Sequence, residues 1–481
     1  MIIYIKKSRL ALFVILFISI SNLAKAQYYP HDDNIDYKED YRGQYHFSPK
    51  TGWMNDINGL FYFNNKYHMI YMWGYKTHGA AFTGYATSPD LLHWTDRGVA
   101  HIGDKKGDLT GAVSNATGYE IFSGSGVVVS GTTAQAITGS TNEAMIAIYT
   151  GTKVGTCLSW SNDDGATWNA YPGNPVANPT TGIVPRDPFV MWYEPTSQWI
   201  LLIYENGTSF YGSSDLINWT FLSNHPFGYE CPDFFELPLD GNENNKKWVL
   251  SDASGRYLVG SFDGTTFTAD KEGKGLLQDE GPDFYAAQHF YRPNLPGEKV
   301  IQIAWNDNWN GGIGEKGWER NATFPVSLEL ITVNGQKRIT RNPIREISSI
   351  YESTKTWESQ LVEPGTNLLE GIHSKKFELS LEIDLTENTA LTFGIRVANR
   401  YVIYDIHNKT LLSKKLLPDD SNHVSIRLLV DWGQLEVFGN NGIFSYSQQF
   451  AFSPDHNNIE LFTDGDIKLI KMEFHELART W

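Results

Sequence analysis

Three carboxyl side chains stand out by where they fall. Asp56 lies in GWMNDINGL, Asp187 in VPRDPFV and Glu230 in YECPDFF. Each comes just before a run of aromatic and β-branched residues with strand character. Carboxylates that converge in a folded chain disfavour one another's charge, so they are costly without a task. Two tasks suit such a group. Oxygen ligands can hold a hard cation. Alternatively, two carboxyls can cleave a glycosidic bond, one as nucleophile and one as general acid and then base.

The elements that would bring the acids together form a repeat. SPDLLHW (88–94), SNDDGATW (161–168), SSDLINW (213–219) and SFDGTTF (261–267) each read Ser-x-Asp, a turn and an aromatic. Upstream of each copy lies a strand–turn–strand pattern, and QHFYRPNLPGEKVIQIAWND (288–307) repeats that pattern without the terminal motif. A period near fifty residues in a strand-rich chain points to the blades of a propeller. Five blades are expected over residues 40–342. Inner strands of a propeller surround one axis, so acids at their beginnings would meet at one end of it.

A connector with some helical character is expected at 343–365. Residues 366–481 change pattern, with short alternating strands such as FELSLEIDL, HVSIRLLVD and IKLIKMEF, separated by turns such as Gly439-Asn440-Asn441-Gly442. That pattern predicts a β-sandwich. The fold class is therefore all-β, a five-bladed β-propeller followed by a C-terminal β-sandwich.

Composition narrows the partners. Lys6, Lys7 and Arg9 precede the apolar run LALFVILFISIS, and Ala24-Lys25-Ala26 follows. This is the pattern of a cleaved signal peptide over 1–26, too short to span a membrane, and it predicts an exported, periplasmic or secreted protein. Cleavage removes four positive charges and no acid, so the formal charge of -16 becomes -20. Nucleic acid and anionic membranes are thereby disfavoured, and a neutral substrate fits. Aromatics make up 14% of the chain, which suits both an all-β core and a surface that stacks on sugars. The cysteines, Cys157 and Cys231, are too few for a disulfide framework. No HxxxH or CxxC spacing occurs, so no metal site or cofactor is expected, and His93 and His289 read as structural. Cys231 has no evident His partner and reads as a buried thiol under the site.

The blocks WMNDINGL, FSGS (122–125), RDPF (186–189) and ECPDFF (230–235) resemble the signature segments of glycoside hydrolase family 32, the β-fructofuranosidases of levanase and inulinase type. HFSPKTGWMND, FYAAQ (284–288) and LLVDWGQLEVF (428–438) resemble further segments of it. The resemblance implies a propeller plus sandwich and retaining hydrolysis of β-fructofuranosidic bonds in fructan or fructo-oligosaccharides. It implies Asp56 as nucleophile, Glu230 as acid and base, and Asp187 as stabiliser of the transition state. Asn55, Trp73, Phe122, Ser123 and Arg186 are expected around the sugar, Asn55 as a donor that helps Asp56 stay ionised.

The match departs in places. Ile57 stands where the family usually has Pro, and Met72 where it usually has Gln. Thr83-Gly84-Tyr85-Ala86 replaces a Trp-Gly-His-Ala segment. A thioether lacks the donors and strong acceptor of an amide. These changes leave open a fructosyltransferase, or a sugar-binding homologue with impaired catalysis. A calcium-assisted arabinan-type propeller hydrolase is a further alternative, weakened by the ordered motif set.

Overall fold

Each Ser-x-Asp segment is a turn, and the turns sort the strands into blades. In the first, Asp90 accepts the N–H groups of Leu92 and His93, and the indole of Trp94 caps the Leu91 carbonyl. In the third, Asp215 accepts those of Ile217 and Asn218, and Trp219 caps Leu216. Asp263 does the same for Thr265 and Thr266, and Asp163 for Thr167. A short carboxylate satisfies the backbone donors of a tight turn while the aromatic anchors it. Every copy joins the third strand of a blade to its outermost strand.

The computed structural model describes residues 35–74, 82–100, 121–178, 183–291, 299–306, 317–450 and 458–481. The expected signal peptide, 1–26, lies outside them. The first strands of the five blades are Gly52–Phe63, Ile121–Val129, Arg186–Tyr193, Asp233–Leu239 and Phe284–His289. Those of blades one, two and three pack side by side, and that of blade one also meets that of blade five. The fifth blade lacks the Ser-x-Asp turn because its last two strands, Val326–Val333 and Gln336–Pro343, close through Asn334 and Gly335 at φ +50° and +76°. Two successive positive φ values match the twist of a tight hairpin. The ring closes where Trp318–Glu319 pairs in parallel with Gly52–Trp53. Blades four and five are joined through a parallel pairing of Leu239 with Leu330.

Two features differ from the sequence reading. The second blade contains a helix, Gly131–Thr138, between its first two strands. Ala134 and Ile137 are one helical turn apart and bury together, and Gly139 ends the helix at φ +79°. The connector at 343–365 holds a 3-10 turn, Arg345–Ile350, and then two strands. Those strands, Tyr351–Trp357 and Gln360–Val362, both pair with the final strand, Ile467–Leu477. The sandwich thus takes up chain at Tyr351 rather than at 366, because the edge of its last strand needs partners.

The sandwich consists of a seven-stranded and a five-stranded sheet with a shared apolar core. It grips the propeller through buried polar groups. Asp431 accepts the backbone N–H groups of Gln44, Tyr45 and His46, and faces the His46 ring at 2.9 Å. The other ring nitrogen of His46 faces Glu436 at 3.2 Å. Burial disfavours a charge on His46, but its hydrogen bonds to Asp431 and Glu436 and their charges outweigh it and raise its pKa to about 9. A second tie joins Arg341 to Asp279 at 2.9 Å, and Asp279 also accepts from Ser445 and Ser447. Removing one partner of a buried charged group leaves the others uncompensated. Asp431→Ala is expected to lose about 3–5 kcal/mol of stability, measured by urea denaturation, whereas a loss within experimental error would mean that the grip is apolar.

Candidate active site

A chain of contacts ties the beginnings of all five first strands together. Asp56 Oδ1 accepts the indole N–H of Trp305 at 2.8 Å. Its Oδ2 accepts the Ser123 hydroxyl, and the Cys231 thiol at 3.3 Å. The backbone N–H of Cys231 reaches Asp187 Oδ2 at 3.3 Å. Arg186 lies 3.5 Å from Asp187 and donates to Glu230 Oε1 at 2.6 Å. The Tyr285 hydroxyl donates to Glu230 Oε2 at 2.6 Å. Blade one thus supplies Asp56, blade two Ser123, blade three Arg186 and Asp187, the approach to blade four Glu230 and Cys231, and blade five Tyr285 and Trp305.

The strands are irregular where these residues sit. Met54 pairs with Trp73 and Ile57 with Tyr71, so Asn55 and Asp56 oppose Met72 alone. Ser123 is the extra residue between Phe122 and Gly124, whose partners Thr150 and Tyr149 are consecutive. Asp187 and Pro188 oppose Ile203, and Ala286 and Ala287 oppose Ala304. Four of the five first strands therefore carry a bulge at the same level. A bulge re-aims a side chain that regular pleating would point into the blade. The fourth strand reaches the same end by strain, with Glu230 and Cys231 at φ +55° and +39°. Asp187, at +59°, is strained as well. Non-glycine residues are held in this region at a cost, and such positions cluster at functional sites. Thr150 locks blades two and three, since its hydroxyl accepts the Asp187 N–H at 2.8 Å and donates to the Ser123 carbonyl at 3.2 Å.

Burial governs the charges. It pushes the Asp187 carboxyl up, the Asp56 and Glu230 charges add to this, Arg186 opposes it, and the result is about 8. Asp56 is also raised by burial, and the donors Ser123, Cys231 and Trp305 pull it back toward the anion. Burial holds the Cys231 thiol well above its usual range, so Cys231 serves as a neutral donor beside Asp56. Asp187 thus keeps its proton into the neutral range, while Asp56 is the acid that hydrogen-bond donors surround.

The other expected residues fall as follows. Ser123 and Arg186 touch the acids directly, and Phe122 is half-buried beside Ser123 at its bulge. The side-chain oxygen of Asn55 accepts from Arg320, and the donors facing Asp56 come from other blades. Trp73 is not brought to the group: it is 4% exposed, within the propeller core, and its indole donates to the Thr51 carbonyl at 2.7 Å. Met72 is at the site, its sulfur 3.3 Å from the Ser123 hydroxyl. Ile57 is core, and the Thr83 hydroxyl is committed to the Ala100 carbonyl at 2.6 Å. His93 pairs with Asp90 in its turn, and His289 with Asp233. Among the described residues, no three His, Cys, Asp or Glu side chains are grouped to hold a metal ion. Sequence reasoning assigned no role to Trp305, Tyr285 or Arg320. FYAAQ carries Tyr285, but nothing local marks the indole at the end of VIQIAWN as facing an acid in another blade.

Residues 46–343 match the family model of the glycosyl hydrolases family 32 N-terminal domain, and residues 346–476 that of the C-terminal domain. A levanase of Bacillus subtilis is 32% identical over 93% of this chain and 72% of its own length. An extracellular exo-inulinase of Aspergillus niger is 30% identical over 93% of this chain and 96% of its own. The crystal structure of an exo-inulinase from Aspergillus awamori superposes with a TM-score of 0.80 at 27% identity, covering 93% of this chain and all of that one (100%). A fructofuranosidase from Schwanniomyces occidentalis, solved with fructosylnystose, shares the fold with a TM-score of 0.81 at 24% identity, over 93% of this chain and 100% of that one.

The charge balance has a consequence for stability. The folded state holds the Asp187 proton up to about pH 8, whereas the unfolded chain releases it near the ordinary carboxyl value of 3.8. The folded state then binds more protons across that window, so its stability falls as pH rises through it. Asp187→Asn removes this dependence. The melting temperature of the variant is expected to drop less than that of wild type between pH 5 and pH 8, and parallel curves would refute the buried-proton account.

Proposed function

The chain belongs to the glycosyl hydrolases of family 32, and from that premise we propose that it hydrolyses β-fructofuranosidic bonds in fructan, of levan or inulin type, or in fructo-oligosaccharides, with retention at the anomeric carbon. The observation that carries the reading is the linked group of Asp56, Asp187 and Glu230, delivered from separate blades with Arg186 beside two of them. Each relative named above is, by its own name, a levanase, an inulinase or a fructofuranosidase.

In this reading Asp56 attacks the anomeric carbon of the fructosyl unit. The bond to the leaving oxygen breaks as Glu230 gives that oxygen its proton. Water then attacks the fructosyl ester, Glu230 takes the water's proton, and the Asp56 carboxylate leaves. Ser123, Cys231 and Trp305 favour the Asp56 anion through their hydrogen bonds. Arg186 and Tyr285 hold one Glu230 oxygen each, which aims the carboxyl. Asp187 holds sugar hydroxyls as positive charge develops on the ring. Asn55 and Phe122 belong to the surround of the sugar, Asn55 as a group oriented by Arg320. No described helix is long and apolar enough to cross a membrane. The N-terminal pattern of 1–26 supports export to the periplasm or medium, where a polymeric substrate is accessible.

Wild type, Asp56→Ala and Glu230→Gln are to be incubated with levan, inulin, sucrose and levanbiose, and released sugar measured. Asp56→Ala should lose on the order of 10⁴-fold or more, and Glu230→Gln about 10²–10⁴-fold. NMR of the first-formed product should show the β-anomer. Binding of fructan by wild type without sugar release would refute the enzymatic reading, and an inverted product would refute the nucleophile.

A further inference from the structure

Tyr229 is an aromatic ring left in solvent beside an acid. It is 52% exposed and immediately precedes Glu230. Its backbone is held firmly. Gly228 takes φ +105°, and a Cβ there would stand 2.8 Å from the Thr208 hydroxyl oxygen. That hydroxyl donates to the Phe227 carbonyl at 2.9 Å, and the Tyr229 carbonyl accepts from Ala253 N–H at 3.3 Å. The ring is held too. It stands edge-on to Tyr204, centroids 5.2 Å apart and planes at 69°. The Arg186 guanidinium lies 4.7 Å from the Tyr204 ring centre and 5.9 Å from that of Tyr229. Tyr229, Tyr204 and Arg186 form one wall that runs from the Glu230 carboxylate out to solvent.

We propose that Tyr229, braced by Tyr204, is the platform on which the leaving sugar stacks. The inference rests on the hydrolytic reading above and deepens it. Glu230 must reach the oxygen of the bond being cut, so the side of Glu230 away from Asp56 belongs to the leaving group. Tyr229 is the large exposed ring attached to that residue. The C–H face of a sugar packs well on an aromatic face, whose area is apolar and whose hydroxyl stays wet. A ring ordered before binding loses little freedom on contact. The wall therefore selects substrates by the sugar beyond the scissile bond.

Wild type, Tyr229→Ala and Tyr229→Phe are to be compared for KM and kcat on levanbiose, and for inhibition by free fructose, which needs only the subsite of the transferred unit. Tyr229→Ala should raise KM for levanbiose about tenfold, the scale of one aromatic contact. Tyr229→Phe should stay close to wild type, and fructose inhibition should be unchanged in both variants. An unchanged KM in Tyr229→Ala overturns the platform. So does an equal loss of fructose binding together with a shifted pH–rate profile, which would make the ring a cover for Arg186 and Glu230. A wild type inactive on levanbiose and on every fructan overturns the hydrolytic reading itself, whereas an active wild type with an unaffected alanine variant overturns the platform alone.

Discussion

Holding three carboxyl groups together where water is scarce is the constraint on which the rest of this structure depends. Left alone, Asp56, Asp187 and Glu230 would repel one another and resist burial. The fold answers with a guanidinium, Arg186, and with hydrogen-bond donors from several blades. No single blade could provide these partners, because the side chains of one strand alternate between its faces. A closed ring of blades can, since every first strand begins beside the same axis. The bulges follow from this need. Each adds one residue to a first strand at the level of the acids and turns a side chain inward.

The ring must also be held shut. Its backbone seam consists, among the described residues, of a two-residue parallel pairing of Trp318–Glu319 with the first strand and a single parallel bridge of Phe61 with Tyr291, short for a structure of this size. The sandwich reinforces it from outside. Asp431 takes three successive backbone donors ahead of the first strand, while Arg341 at the end of the last blade is bound to Asp279 and so to Ser445 and Ser447. Beginning and end of the propeller are thus both anchored on the sandwich. This assigns the C-terminal domain a mechanical role that its own sequence does not suggest. The segment LLVDWGQLEVF carries both Asp431 and Glu436, so its distinctive residues serve the interface.

The departures from the family pattern are distributed as well. Met72 stands opposite the bulge that carries Asp56 and meets the Ser123 hydroxyl, so its effect is felt where Asp56 is positioned. Ile57 and Thr83, which also depart from the family pattern, are absorbed by the core and by a backbone carbonyl. Of the three departures, only Met72 touches the acid group through its neighbours.

Much of this was legible from the chain alone. Turn chemistry is local, so the Ser-x-Asp segments disclosed the blades, and alternation disclosed the sandwich strands from Lys376–Asp384 to Ile467–Leu477. The acids were legible because each precedes a strand-like run in the sequence, although in the fold Asp56 lies within Gly52–Phe63, Asp187 within Arg186–Tyr193 and Glu230 ahead of Asp233–Leu239. What the chain alone did not disclose were the partners. Trp305 and Tyr285 meet acids far away in sequence, and no local pattern encodes such pairs. Trp73 looked available for a sugar because its type suits stacking, yet packing of the first blade buried it. The strands at Tyr351–Trp357 and Gln360–Val362 form because a distant edge awaits them. Residue type and short-range spacing determined which groups could act. Ring closure and burial, which are non-local and cooperative, decided which of them meet and which are taken out of solvent.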